Sequence, residues 1–230
     1  MPGPARVVRW APMPRRADET RELLLRTGQR LFARDGVHQV PLKAIVNEAG
    51  QRNASALHYH FGGRQGLLDA IIATHDDLIE DERRRYLAEL DAVAPSTDLH
   101  HLVAGLVVPF SRALQDPGGR EFLQIIAQLS HLFDAWDQPE APEQARLVFH
   151  RIETLLVELP APVRHLRVTT FLDLVTHALA ARARLIEQGA ALPVAHAEFI
   201  ENLIEMCVGA LAAPLAVSSE RRLAQECGND

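Results

Sequence analysis

The chain of 230 residues holds only two cysteines, Cys207 and Cys227. The first lies in an apolar helical pattern and the second in the terminal tail, so neither a disulfide framework nor a zinc site is implied. Long apolar runs are missing as well. The stretch 102–110 is broken by Gly105 and Pro109 and falls far short of the roughly 20 residues that span a bilayer. Arg6, Arg9, Arg15 and Arg16 are followed by no apolar segment, so a secretory signal is not expected and a cytoplasmic protein is. Catalytic signatures are absent too: no Gly-rich phosphate loop, no Gly-x-Ser-x-Gly elbow, no His-Glu-x-x-His. His100-His101 lacks the i, i+4 spacing that sets two ligands on one helical face. Eleven histidines still leave acid-base chemistry as an alternative class. The expectation is no catalytic residue, no metal and no cofactor.

What is present is an ordinary globular composition with its charge unevenly placed. Hydrophobic residues make up 47% and charged residues 23% of the chain, which argues against wholesale disorder. Residues 1–66 carry 11 Lys plus Arg against 5 Asp plus Glu, a net +6. The remainder carries 13 against 25, a net −12, which restores the overall −6. A basic N-terminal portion suits phosphates, although an ordinary polar surface shows the same imbalance.

Pro2, Pro4, Pro12 and Pro14 block helix near the start, so residues 1–18 read as a disordered arm. Its arginines suit either a solvated tail or a reach into the DNA minor groove. Helical spacing then begins at Thr20 through Leu24, Gly28, Leu31 and Phe32, and Asp35-Gly36 stops it. Pro41 at a first helical position, with Leu42, Ile45, Val46 and Ala49, predicts a short second helix ending at Gly50. A third runs from the cap residue Asn53 to Phe61, and Gly62-Gly63 separates it from a long amphipathic helix through Leu68, Ile79 and Leu90. Further helices are predicted over 99–114, 119–136, 142–159, 162–189 and 193–213, with few strand-like alternations. The expected fold is all-α. Its domains are the arm, a three-helix helix-turn-helix domain over 19–66, a larger helical ligand-binding and dimerisation domain over 67–213, and a flexible tail over 214–230.

Two short helices joined by a Gly-containing turn form a compact unit whose second helix fits the major groove. That helix offers Asn53, Ser55, His58, Tyr59 and His60 for hydrogen bonds to base edges or phosphate, flanked by the charges of Lys43 and Arg52. The pattern also occurs in helical proteins that never meet DNA. Specificity comes from Leu24-Leu25, Thr27-Gly28, Leu31-Phe32, Gly36, Ile45, Ala49-Gly50, the string 57–61 (Leu-His-Tyr-His-Phe) and Leu67-Leu68. Over roughly 20–68 these resemble the N-terminal domain of the tetracycline-repressor (TetR) family of bacterial regulators. Three departures stand out: His58 in place of the usual Tyr, one extra residue between Gly50 and Leu57, and Val40-Pro41 where a hydroxyl residue is usual. Arg64 stands where the family often has a phosphate-touching Lys, and Arg keeps the charge.

The resemblance implies a homodimer on a palindromic DNA operator and a helical domain with a cavity for a small-molecule effector. Phe171, Ala178 and Leu185 on one helix and Phe199, Leu203, Met206 and Ala210 on the next form apolar stripes suited to a dimer interface, or to the core of one subunit. Phe110, Phe133, Trp136 and Phe149, with Arg112, His131, His150 and His177, are the candidates for holding an apolar or aromatic effector, acidic ones included. A repressor released from DNA by that effector is the expected function. The competing class is a helical adaptor for protein partners that does not touch DNA.

Overall fold

The computed structural model describes residues 16–53, 55–93, 98–130 and 141–215. Among them every regular element is helical, so the all-α expectation holds. The chain divides into two compact units, one up to Ile71 and one from Ile72 onward.

In the first unit, α1 spans Arg16–Asp35. It starts before Thr20, inside the segment expected to be an arm, because Asp18 and Glu19 occupy its first turn, where the positive end of the helix dipole favours carboxylates. Arg6, Arg9 and Arg15 of the expected arm lie outside the described residues, as does the expected tail beyond Leu215. Leu24, Leu31 and Phe32 recur at helical spacing and are buried; burying each side chain contributes about 2 kcal/mol. Gly28 allows close approach, since a Cβ there would stand 2.7 Å from Leu67 Cδ2. Gly36 ends the helix at φ 100°, a backbone region that glycine enters without steric cost.

Helix α2 spans Leu42–Glu48. Pro41 sits one position earlier than expected, as the N-cap, and makes no side-chain cap bond. Ile45, Val46 and Ala49 face the core. Helix α3 spans only Ala56–Phe61. Its N-cap is Ser55, two residues later than the cap reading of Asn53 predicts. The Asn53 Oδ1 accepts from the Ser55 N–H at 2.9 Å, closing a local turn that competes with helix. Leu57 anchors α3 in the core, and Gly62 at φ 72° ends it, its N–H bonded to the His58 carbonyl.

Helix α4 runs over Arg64–Val93 and carries residues of both units. The second unit continues with α5 (Leu99–Ser111), a 3-10 turn (Arg112–Gln115), α6 (Pro117–Leu129), α7 (Glu143–Leu155), α8 (Ala161–Glu187) and α9 (His196–Ala212). Asp98 caps α5 by accepting from the His101 N–H at 2.8 Å, and Asp116 caps α6 through Gly119 N–H at 2.9 Å with Pro117 at the first helical position. Helix α6 packs on α8, α5 on α9 and α7, and α8 on α9. Their shared core holds Leu102, Phe122, Phe149, Ile152, Phe171, Leu179 and Leu203.

Candidate nucleic-acid interface

The first unit presents α3 with one side anchored and the other open. Leu57 is buried. Tyr59, two residues on, is 83% exposed, the largest polar side chain the helix offers outward. Its ring meets His60 edge-on at 5.0 Å. His60 is half-buried and His58 exposed; the His58 Nδ1 lies 3.2 Å from the Gly62 carbonyl oxygen, so the proton on Nδ1 donates to the residue that ends the helix. Ser55, Arg52, Asn53 and Lys43 are all exposed. Seven of the eight expected DNA-contacting residues thus keep some solvent access on α2, α3 and the turn between them.

Arg64 is different. Its guanidinium turns inward, donating from Nη1 to the Val37 carbonyl and from Nη2 to the Val40 carbonyl at 2.6 Å. Its Cζ lies 5.6 Å from the Phe32 ring centroid. Arg64 therefore ties the start of α4 to the loop before α2, and only its remaining N–H groups are available to a phosphate.

The basic charge of this unit is partly spent on α1. Arg26 pairs with Glu22, Arg30 with Glu48 at 2.8 Å, and Arg34 with Asp35 at 2.7 Å. All six partners are exposed, and such surface pairs contribute little stability. Asp35 is held below its ordinary range, chiefly by the hydrogen bond from Arg34. Among the described residues Lys43 and Arg52 have no such partner, which leaves their charge on the α2–α3 side. Sequence reasoning missed Arg21, exposed on α1, whose guanidinium lies 5.1 Å from the Phe61 ring at the end of α3. The pairing of a cation early in one helix with an aromatic some forty residues later has no local signal.

The joint between α3 and α4 is sterically fixed. A Cβ on Gly66 would lie 1.9 Å from the Phe61 carbonyl oxygen, a backbone atom. Gly63 at φ 143° adds a second position that a side chain strains.

Of the residues expected to hold an effector, the described ones are divided between core and surface. Phe110 meets Phe122 edge-on at 6.1 Å, and Phe149 meets Phe171 at 6.3 Å, so these rings form core. Arg112, His150 and His177 are exposed, and the His177 Nδ1 donates to the Asp173 carbonyl one turn earlier at 2.9 Å. His131, Phe133 and Trp136 lie outside the described residues. An open groove of about 580 Å³ is lined instead by Leu99, Leu155, Leu159, Arg167, Leu211 and Leu215, none of them expected. The interface stripes divide likewise. Phe171 (1% exposed) and Leu203 (2%) are buried within the single chain and have no surface for a partner. Ala178, Leu185, Phe199 and Ala210 are half-buried, and Met206 is 50% exposed. A stripe drawn by spacing alone does not tell which side of a helix its own subunit already covers.

The second unit also buries charge that the sequence pass overlooked. On α4, Asp76, Glu80 and Arg83 recur at i, i+4 and i+7. Arg83, 6% exposed, pairs through Nη1 with Glu80, whose other oxygen accepts the Gln144 N–H at 2.7 Å near the start of α7. Burial pushes the Asp76 carboxyl up to about 6, against the pull of Arg83. His75 stacks on Phe122 at 4.5 Å, and burial lowers its pKa. Burial likewise pushes the Cys207 thiol up to about 12, which leaves it inert at neutral pH.

Two short helices, a turn closed by Asn53 and a glycine-ended second helix with an outward polar face define a helix-turn-helix unit. Residues 24–71 match the family described as "Bacterial regulatory proteins, tetR family". It is 26% identical over 110 residues to the HTH-type transcriptional regulator SrpR of Pseudomonas putida. That match covers 48% of this chain, and the chain spans 46% of the length of that relative. An uncharacterized HTH-type transcriptional regulator of Pseudomonas putida, TtgW, is also 26% identical over 110 residues, which cover 48% of this chain and 74% of that relative. Among solved structures, SCO4454, a TetR-family regulator from Streptomyces coelicolor, aligns over 84% of this chain and 95% of its own, with 22% identity and a TM-score of 0.43. ECA1819 from Pectobacterium atrosepticum, another TetR-family regulator, aligns over 86% and 94%, with 20% identity and a TM-score of 0.39.

Proposed function

We propose that the chain is a DNA-binding transcriptional regulator that acts as a homodimer on a palindromic operator and is released from it by a small apolar or aromatic effector. The outward face of α3, with Tyr59 exposed beside His58 and Ser55 and the charges of Lys43 and Arg52 next to it, carries this reading. A recognition helix needs polar side chains for base edges and cations for phosphates, and this face offers both. One short helix reads few bases, so two copies spaced about 34 to 36 Å apart in successive major grooves give useful affinity. Met206, with the half-buried Ala178, Leu185 and Ala210 on α8 and α9, supplies apolar surface for that pairing. No described helix is long and apolar enough to cross a membrane, and a regulator of this kind works in the cytoplasm beside its operator.

The effector acts on the unit from Ile72 onward. A ligand shifts DNA affinity only by its differential affinity for two arrangements of the dimer. The buried Arg83 with its partner Glu80, and the half-buried Asp76, form a polar stretch of α4 that such a ligand would perturb. The test is fluorescence anisotropy of the purified protein on DNA flanking its own gene, across salt concentrations and with random competitor. Saturable binding that survives competitor supports the reading. Binding no tighter than to random DNA, on that fragment and on any fragment selected from a random pool, overturns it in favour of a protein-binding adaptor.

A further inference from the structure

The outward face of α3 holds one polar atom whose hydrogen-bonding sense is already decided. His58 is exposed, and its ring is turned toward the end of the helix, with Nδ1 3.2 Å from the Gly62 carbonyl oxygen. A carbonyl oxygen only accepts, so Nδ1 carries the proton of this bond. A neutral imidazole has a single ring proton, and the bond made by one nitrogen sets the state of the other. Nε2 is therefore left as a bare acceptor, with no partner among the described residues.

Two features hold the ring in this state. Gly62 ends α3 at φ 72° with its N–H on the His58 carbonyl, so the residue that accepts from the ring is itself tied back to His58. Next to it, a Cβ on Gly63 would lie 3.7 Å from His58 Cε1 and 3.8 Å from Nδ1, so the imidazole borders the glycine turn with no side chain between them. The neighbouring groups are not committed in the same way. Lys43 and Arg52 only donate, and the hydroxyls of Ser55 and Tyr59 rotate to donate or accept. The Asn53 Oδ1 already accepts from the Ser55 N–H.

In the major groove an acceptor meets a donor only at the exocyclic amino groups, N6 of adenine and N4 of cytosine; guanine and thymine present acceptors there. Phosphate oxygens are acceptors as well. We propose that His58 is a specificity-determining residue whose Nε2 accepts a hydrogen bond from the amino group of an adenine or a cytosine in each half of the operator. The proposal rests on the reading of α3 as a recognition helix and adds to it the class of base that one side chain demands. His58 then contributes to the choice of sequence and not to general affinity for DNA.

Selection from a random DNA pool tests it, with wild type and His58→Ala at about pH 8, where an ordinary imidazole is neutral. One base pair in each half-site is expected to be specified by wild type and to lose that preference in His58→Ala, while binding to random DNA is the same for both. Duplexes are then made in which the amino-bearing base of that pair is replaced by an analogue without the amino group, unsubstituted purine for adenine or pyrimidinone for cytosine. Wild type should bind them about fivefold more weakly, the size of one hydrogen bond, and His58→Ala should bind them unchanged. Replacing the purine of the pair by a deaza analogue that lacks the acceptor N7 should cost wild type no more than it costs His58→Ala. A loss by wild type on the deaza duplex and none on the amino-free duplex overturns the proposal, because Nε2 is then a donor. Identical selected sequences for wild type and His58→Ala overturn it too and leave the operator reading standing. A wild type that selects no sequence overturns the operator reading itself, and this proposal with it.

Discussion

The two units treat charge in opposite ways. Up to Ile71 most described cations lie on the surface, either paired on α1 or left open beside α3, Arg64 alone turning inward onto backbone carbonyls, and no charged side chain is fully buried. From Ile72 onward two arginines, Arg83 and Arg182, are buried, and the Asp76 carboxyl is pushed up to about 6. A surface cation is cheap to keep and available to a phosphate, whereas a buried one is costly and persists where it has a partner or a task. The contrast separates a unit that presents charge on its surface from a unit that buries some of it.

The largest expected effect breaks the first unit. Gly66→Ala drives a methyl into the Phe61 carbonyl, forcing α3 and α4 apart at a cost of about 3 kcal/mol. Denaturant unfolding and operator titration should both report it, with DNA affinity nearly abolished.

A change of similar size but opposite sign is expected in the second unit. The Asp76 carboxyl titrates at about 6 when folded, against 3.8 ordinarily. Its folded value is raised, so its contribution to stability is full below pH 3.8 and is lost as pH rises through 6. At pH 7 the penalty amounts to about 3 kcal/mol. Asp76→Asn should therefore raise the unfolding midpoint at pH 7 and bring little gain at about pH 4. A gain independent of pH would assign the effect to packing instead.

Arg64→Ala removes two charge-assisted bonds to the Val37 and Val40 carbonyls. It should cost about 2 kcal/mol of stability as well as DNA affinity. A loss of affinity with stability unchanged would return Arg64 to a purely phosphate-touching role. The smallest structural effect belongs to Lys43→Ala and Arg52→Ala. At these exposed positions the expected stability change stays within about 0.5 kcal/mol, while the log–log salt slope of DNA binding flattens by about one for each phosphate no longer touched.

Most of the first unit is legible in the sequence because its punctuation is local. Gly36, Gly50 and Gly62 all adopt positive φ where the chain turns, and the apolar spacing of Leu24, Ile45 and Leu57 marks the core. Where the reading slipped, a side chain had two local options. Asn53 closes a turn instead of capping a helix, and Arg64 reaches inward across 24 and 27 residues. In the second unit the helices were legible but their faces were not. Asp116-Pro117 carries a start signal for α6 that placing the helix at Gly119 overlooked. Phe171 and Leu203 fall on stripes as apolar as Met206, and only the packing of α6 on α8 and of α5 on α9 shows that they are already covered. The buried pairing of Arg83 with Glu80 looks in sequence like a solvated i, i+3 pair.

The most direct measurement sets the wild type beside Tyr59→Ala on the same flanking DNA fragment, by fluorescence anisotropy with random competitor and with unfolding midpoints measured in parallel. If α3 reads bases, Tyr59→Ala leaves the midpoint unchanged, lowers affinity for the fragment about tenfold and leaves random-DNA binding as it was. Equal affinity of wild type and Tyr59→Ala for the fragment would contradict the account and take α3 out of the groove.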